Sequence, residues 1–193
     1  EGLGNKFLAH IREVDAIVHV LRCFEDEDIT HVENNINPLR DADIIETELM
    51  LADIESLDRQ IQNLTKKAKT NDKDAKSDLL LMKELYALLS EGKPIRLGNF
   101  SDDKAKQYKS FNLLTSKPIL YVCNVNEDDA ASGNVFTKLI YEKAKGETCE
   151  AVIISGSIEA EIALLDYNEK IDFLKDLDLK ESGLSRLINA GFG

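Results

Sequence analysis
Apolar residues along the chain follow two rhythms, and each predicts a different element. Ala16-Ile17-Val18-His19-Val20-Leu21, Ile119-Leu120-Tyr121-Val122-Cys123 and Ala151-Val152-Ile153-Ile154 are short, nearly continuous apolar runs. Such runs predict strands covered on both faces, as in a parallel sheet. Elsewhere the apolar spacing lengthens to three and four. Leu3, Phe7, Leu8 and Ile11 share one face of a short helix over 3–13. Met50, Ile54, Leu57, Ile61, Leu64 and Ala68 step by 4, 3, 4, 3 and 4, the seam of a coiled coil. Thr70-Asn71-Asp72 breaks that seam. Leu79, Met82, Leu85 and Leu89 resume it until Gly92 and Pro94. Two helices joined by a short polar turn predict an antiparallel hairpin. Ser101-Asp102-Asp103 offers an N-cap and an acidic first turn to a helix running to about Leu114. Further helices are predicted over 134–145, 158–165, 167–176 and 183–189.

Strands alternating with helices predict an α/β fold with a mostly parallel sheet. The hairpin interrupts the alternation. Residues 41–92 therefore read as a helical insertion into a domain made of 1–40 and 93–193. The length of 193 residues suits one such domain with an insertion, or two small domains. No run approaches the ~20 apolar residues of a membrane helix. Glu1-Gly2-Leu3-Gly4 is neither an initiator Met nor a secretory signal, and reads as the interior of a longer chain.

Charge and cysteines narrow the class. A net charge of -12 argues against nucleic-acid binding through the whole surface, while leaving room for a local basic patch. Cys23, Cys123 and Cys149 are widely spaced and odd in number. That pattern fits buried thiols in a reducing, cytoplasmic setting better than disulfides or zinc.

The candidate chemistry lies where two strands stop. In open parallel sheets, ligands bind outside the carboxyl ends of the strands. The 119–123 run ends in Asn124-Val125-Asn126-Glu127, and the 151–154 run ends in Ser155-Gly156-Ser157. Asn-x-x-Glu is close to the Asn-Lys-x-Asp pattern by which GTP-binding proteins read guanine. Guanine presents two neighbouring donors that a short aspartate accepts edge-on. Glu127 in the fourth position moves the carboxylate by more than about 1 Å, and a bidentate fit is sensitive to that. Val125 stands where a lysine would lie across the base. Adenine presents one donor amine beside acceptor nitrogens. An Asn124 amide both donates and accepts, and the Val125 carbonyl can take the amine proton. These differences predict adenine over guanine. Small residues at 155–157 would let backbone N–H groups approach the base. Ordinary polar residues between strand and loop have the same composition, and that reading stands beside the purine one.

Longer stretches add a resemblance. Gly2-Leu3-Gly4-Asn5-Lys6-Phe7-Leu8, Arg12-Glu13-Val14-Asp15-Ala16-Ile17-Val18-His19-Val20, Arg22-Cys23-Phe24-Glu25-Asp26 and Asp28-Ile29-Thr30-His31-Val32 carry it. So do Pro38-Leu39-Arg40-Asp41, Phe111-Asn112-Leu113-Leu114-Thr115-Ser116-Lys117-Pro118 and Glu159-Ala160-Glu161. Over essentially all its length the chain resembles the YchF group of Obg-related P-loop NTPases. The resemblance implies a P-loop NTPase-like three-layer sandwich carrying a helical coiled-coil hairpin. It implies hydrolysis of ATP in preference to GTP, a C-terminal TGS domain and association with the ribosome, the large subunit being the expected partner. The Asn-x-x-Glu departure is itself typical of that group. The sequence holds no G-x-x-x-x-G-K-[S/T] phosphate loop. Mg2+ is accordingly expected through residues outside these 193, and the chain alone is expected to be inactive. A non-enzymatic ribosome or RNA adaptor using the hairpin is the alternative.

Other residues are weighed individually. Lys66, Lys67, Lys69, Lys73 and Lys76 cluster at the hairpin tip, a possible RNA contact, although a solvated lysine-rich turn is commoner. His19, mid-strand, reads as a hydrogen-bonded core histidine, and His31 as a loop-packing residue. Glu25-Asp26-Glu27-Asp28 is too closely spaced for one coordination sphere. Glu159 and Glu161 fall at a helix start, where carboxylates favour the dipole.

Overall fold
The computed structural model describes residues 4–25, 36–68 and 73–192. The His31 and Asp28 readings, the Thr70-Asn71-Asp72 break and Lys69 fall outside them. By contact density the chain divides into two compact units, 1–17 with 43–118, and 18–42 with 119–193.

In the first unit, the helix α1 (Asn5–Glu13) ends at an extended Val14. The long helix α2 (Pro38–Ala68), which starts in the other unit, opens on proline, whose missing N–H costs nothing in a first turn. Helix α3 (Lys73–Ser90) follows and is closed by Gly92 at φ +75°. Most of the predicted seam is found in one core, Ala68 and Leu79 excepted. Met50 and Leu57 of α2 share one apolar core with Leu81, Met82, Leu85 and Leu89 of α3, and Ile54, Ile61 and Leu64 pack against it. Leu57 and Leu85 are wholly buried, each contributing about 2 kcal/mol of transfer free energy. Ile95, Phe111 and Leu113 join the same core, so the hairpin is sealed by the chain that follows it.

That following chain departs from expectation. Ser101 does cap helix α4 (Asp102–Tyr108), accepting from the Lys104 N–H, but α4 stops at Tyr108 rather than near Leu114. Asn112 takes a left-handed conformation at φ 53°, and single 3₁₀ turns occupy 109–111 and 114–116. The reason lies in α2. The buried Asp53 carboxylate accepts from Leu114 N, Thr115 N and Thr115 Oγ1, each at 2.8 Å. Those amides serve the carboxylate instead of extending a helix. Arg12 lies 3.5 Å from Asp53, and Lys117 donates to the Arg12 and Val14 carbonyls that end α1. A cation there satisfies orphan carbonyls and opposes the helix dipole.

The second unit holds a sheet of three strands in the order β1 (Ile17–Arg22), β2 (Ile119–Asn124), β3 (Glu150–Ile154). β2 and β3 are parallel, with Val122 opposite Val152 and Asn124 opposite Ile154. Ile17 N–H donates to Pro118 O and Cys23 N–H to Asn124 O. This constant chain offset marks β1 and β2 as parallel too. Helix α5 (Val135–Glu147) reaches the Tyr121 face, where the Tyr121 hydroxyl meets Glu147 at 3.2 Å. Helices α6 (Gly156–Ile162), α7 (Tyr167–Asp176) and α8 (Gly183–Phe192) complete the unit. Leu187 and Ala190 of α8 cover Leu120, Val122, Val152 and Ile154 on the opposite face. Helix, sheet and helix make three layers of an α/β fold.

β1 is not covered on both faces as its apolar run suggests. Its exposure alternates, and Val18 and Val20 are 51% and 62% exposed. It is an edge strand among the described residues, and α8 lies over β2 and β3. β2, in the centre, is the strand buried throughout from Ile119 to Cys123. His19 is half-buried with its ring 5.9 Å from that of Tyr121. Cys23 and Cys123 are fully buried free thiols, and Cys149 is partly buried.

Candidate nucleotide-base site
The ends of β2 and β3 lie side by side because the two strands run parallel and in register to their last residues. Asn124 is the last residue of β2, and its Oδ1 accepts the Gly156 N–H at 3.0 Å. One step on, the buried Val125 donates its N–H to Ile154 O at 2.9 Å. The two polar strand ends are therefore joined twice. With Oδ1 committed to Gly156, Nδ2 is the donor left on the Asn124 amide, and no hydrogen bond joins it to a described residue. A Cβ on Gly156 would stand 3.4 Å from Asn124 Oδ1, in ordinary van der Waals contact with the amide.

The remaining sequence candidates sit differently. Ser155 is buried, and its hydroxyl pairs with that of Ser157 at 3.0 Å. Glu127 begins a 3₁₀ turn, 127–129, and is exposed; its carboxylate makes no hydrogen bond to the other candidates. The structure thus brings Asn124, Val125, Ser155 and Gly156 together, sets Ser157 beside them and leaves Glu127 on the rim. The cluster offers an amide donor and backbone acceptors without a cation. Among the described residues no group of three or more His, Cys, Asp or Glu side chains could hold a metal ion.

Two supporting residues make contacts that the sequence does not predict. Asn134 caps α5 in a full capping box with Thr137, and also reaches the Cys23 carbonyl and Asp129. The Asn134-x-x-Thr137 spacing at a helix start was its signal. Glu159 was read as a dipole partner of its own helix. It does lie in the first turn of α6, and its carboxylate also accepts from Gly183 N at 2.6 Å and Leu184 N at 3.3 Å, at the start of α8. A Cβ on Gly183 would come within 2.9 Å of both Glu159 and Ile154, so glycine permits that close packing. Sequence alone does not say which helix N-terminus a carboxylate will meet.

No protein-family model matches the chain. Similar proteins are nonetheless numerous. The chain is 49% identical over 192 residues to the ribosome-binding ATPase YchF of Pasteurella multocida, and 46% identical over 194 residues to that of Bacillus subtilis. Each match takes in all of this chain and 53% of the relative. Among solved structures it superposes on the YchF GTPase of Schizosaccharomyces pombe with a TM-score of 0.86 at 31% identity, covering 99% of this chain and 53% of that one. The chain spans about half the length of the relatives it matches. In sequence identity and in fold, the whole of this chain corresponds to about half of a YchF-type protein.

Proposed function
We propose that this chain supplies the base-recognition half of a cytoplasmic, ribosome-associated NTPase that binds and hydrolyses ATP in preference to GTP. The observation that carries the reading is the Asn124–Gly156 bond. It engages Oδ1 and so leaves Nδ2 as a donor for a purine ring nitrogen. The Val125 carbonyl is the acceptor for the adenine amine, the Ser155–Ser157 turn closes the pocket, and Glu127 stands at its rim. Guanine would need two acceptors edge-on and a donor to its carbonyl, and the Gly156 N–H is already taken. A buried polar group left unpaired rejects the wrong ligand strongly.

Phosphates and Mg2+ are assigned to residues outside these 193, so the chain alone is proposed to turn over no nucleotide. The 41–92 hairpin is proposed as an insertion into the nucleotide-binding domain of 1–40 and 93–193, with its lysine tip as an RNA contact on the large ribosomal subunit. The relatives' names, ribosome-binding ATPase and GTPase, support a nucleotide-dependent ribosome factor of this kind. Calorimetry of the full-length protein with ATP and GTP tests the base reading. ATP should bind at least about tenfold more tightly, as expected when one guanine group goes unpaired. Equal affinities would remove the pocket argument.

A further inference from the structure
The loop 125–133 carries both Val125 and Glu127, and one side chain anchors it. Asn134 Nδ2 donates to the Cys23 carbonyl at 2.7 Å and to Asp129 Oδ2 at 2.8 Å. Its Oδ1 accepts from Phe136 N at 3.0 Å and Thr137 N at 3.1 Å. Two donors and two lone pairs are the whole capacity of the amide, and all are used. Only one of those pairs is ordinary helix capping.

The other pair is aimed at the base site. Cys23 N–H donates to Asn124 O at 2.8 Å, so the residue that holds Asn134 also holds Asn124. Within the loop, Asp129 N–H bonds Asn126 O, Ala130 N–H bonds Glu127 O, and Gly133 N–H bonds Asp129 O at 2.7 Å. The loop is thus tied to itself, and the Asn134–Asp129 bond adds a tie to the frame.

We propose that Asn134 is a positioning residue for base recognition: bridging Cys23 and Asp129, it fixes Val125 and Glu127 relative to Asn124. The inference rests on the base-site reading given above. Asn134→Asp isolates the role. Aspartate caps a helix as well as asparagine, so α5 keeps its start. Both Nδ2 donors are lost, and a carboxylate now faces the Asp129 carboxylate and the Cys23 carbonyl. In the double variant Asn134→Asp, Asp129→Asn, amide and carboxylate exchange places and one bond returns.

The test uses full-length protein, with ATP and GTP affinities measured by calorimetry and Asn124→Ala as the reference. Asn134→Asp should lower the ATP preference about tenfold, the loss of roughly one held hydrogen bond. Hydrogen exchange should quicken at the Asp129, Ala130 and Gly133 amides while those of α5 stay protected. The double variant should recover most of the preference. If Asn124→Ala abolishes the preference and Asn134→Asp retains it, the positioning role is wrong and the base reading survives. If Asn124→Ala changes nothing, the base reading fails and takes the positioning role with it.

Discussion

Asp53 shows how one residue decides local structure. It is wholly buried, and its carboxylate serves three donors from 114–115 with Arg12 beside it. Burial pushes its carboxyl above the usual 3.8, outweighing the donors and Arg12, which act the other way. The folded chain therefore holds this proton more tightly than the unfolded one. Between 3.8 and the raised value the unfolded state binds fewer protons, so this contribution to stability falls as pH rises. Asp53→Asn has no such titration. Urea unfolding across that window should show wild-type stability, relative to the variant, declining with pH. Parallel pH profiles would exclude Asp53 as the source. Asn124 is the same kind of residue, since a single bond to Gly156 decides which half of its amide is engaged.

At the scale of elements, legibility followed burial. The α2–α3 seam was readable because its spacing of three and four has one physical cause, a shared apolar face. β2 was readable because both its faces are covered. β1 had the same composition and a different environment. Val18 and Val20 are apolar without being buried, and a sequence run does not say which strand will be central. The end of α4 was hidden for another reason. It depends on Asp53, whose bond to Thr115 spans 62 positions, and local propensity carries no trace of that. At the site, the Asn124–Gly156 pairing followed from parallel strands, whereas the Asn134 and Glu159 contacts depend on which helix ends meet. One inter-element tie is directly testable. Arg96 grips Glu46 through paired bonds of 2.6 and 2.7 Å, both side chains being 11% exposed. Arg96→Lys keeps the charge and loses the fork, and should cost about 2 kcal/mol in denaturant unfolding. A change within error would mean that this pair is dispensable to the unit.

For the molecule as a whole, each unit has its own apolar core, one around the hairpin and one around the sheet. The overall charge of -12 makes the lysines near the hairpin tip an exception to their surroundings. Lys66, Lys73 and Lys76 are exposed there. Replacing Lys66, Lys67, Lys69, Lys73 and Lys76 with glutamine should reduce ribosome co-sedimentation at least about tenfold at physiological salt, as expected for several lost phosphate contacts. Unchanged pelleting would remove the tip as the contact. The join between the strand ends has a further consequence, for the order of events during synthesis. Asn124 and Gly156 are 32 positions apart, with the whole of α5 and β3 between them. A growing chain that has completed β2 possesses the amide without the bond that orients it. The orientation arrives only when Gly156 has left the tunnel and β3 has paired, because non-local contacts form after the loops between them close. Native pairing of those two strands is therefore a precondition that every newly made copy meets before its strand-end amide is held in place.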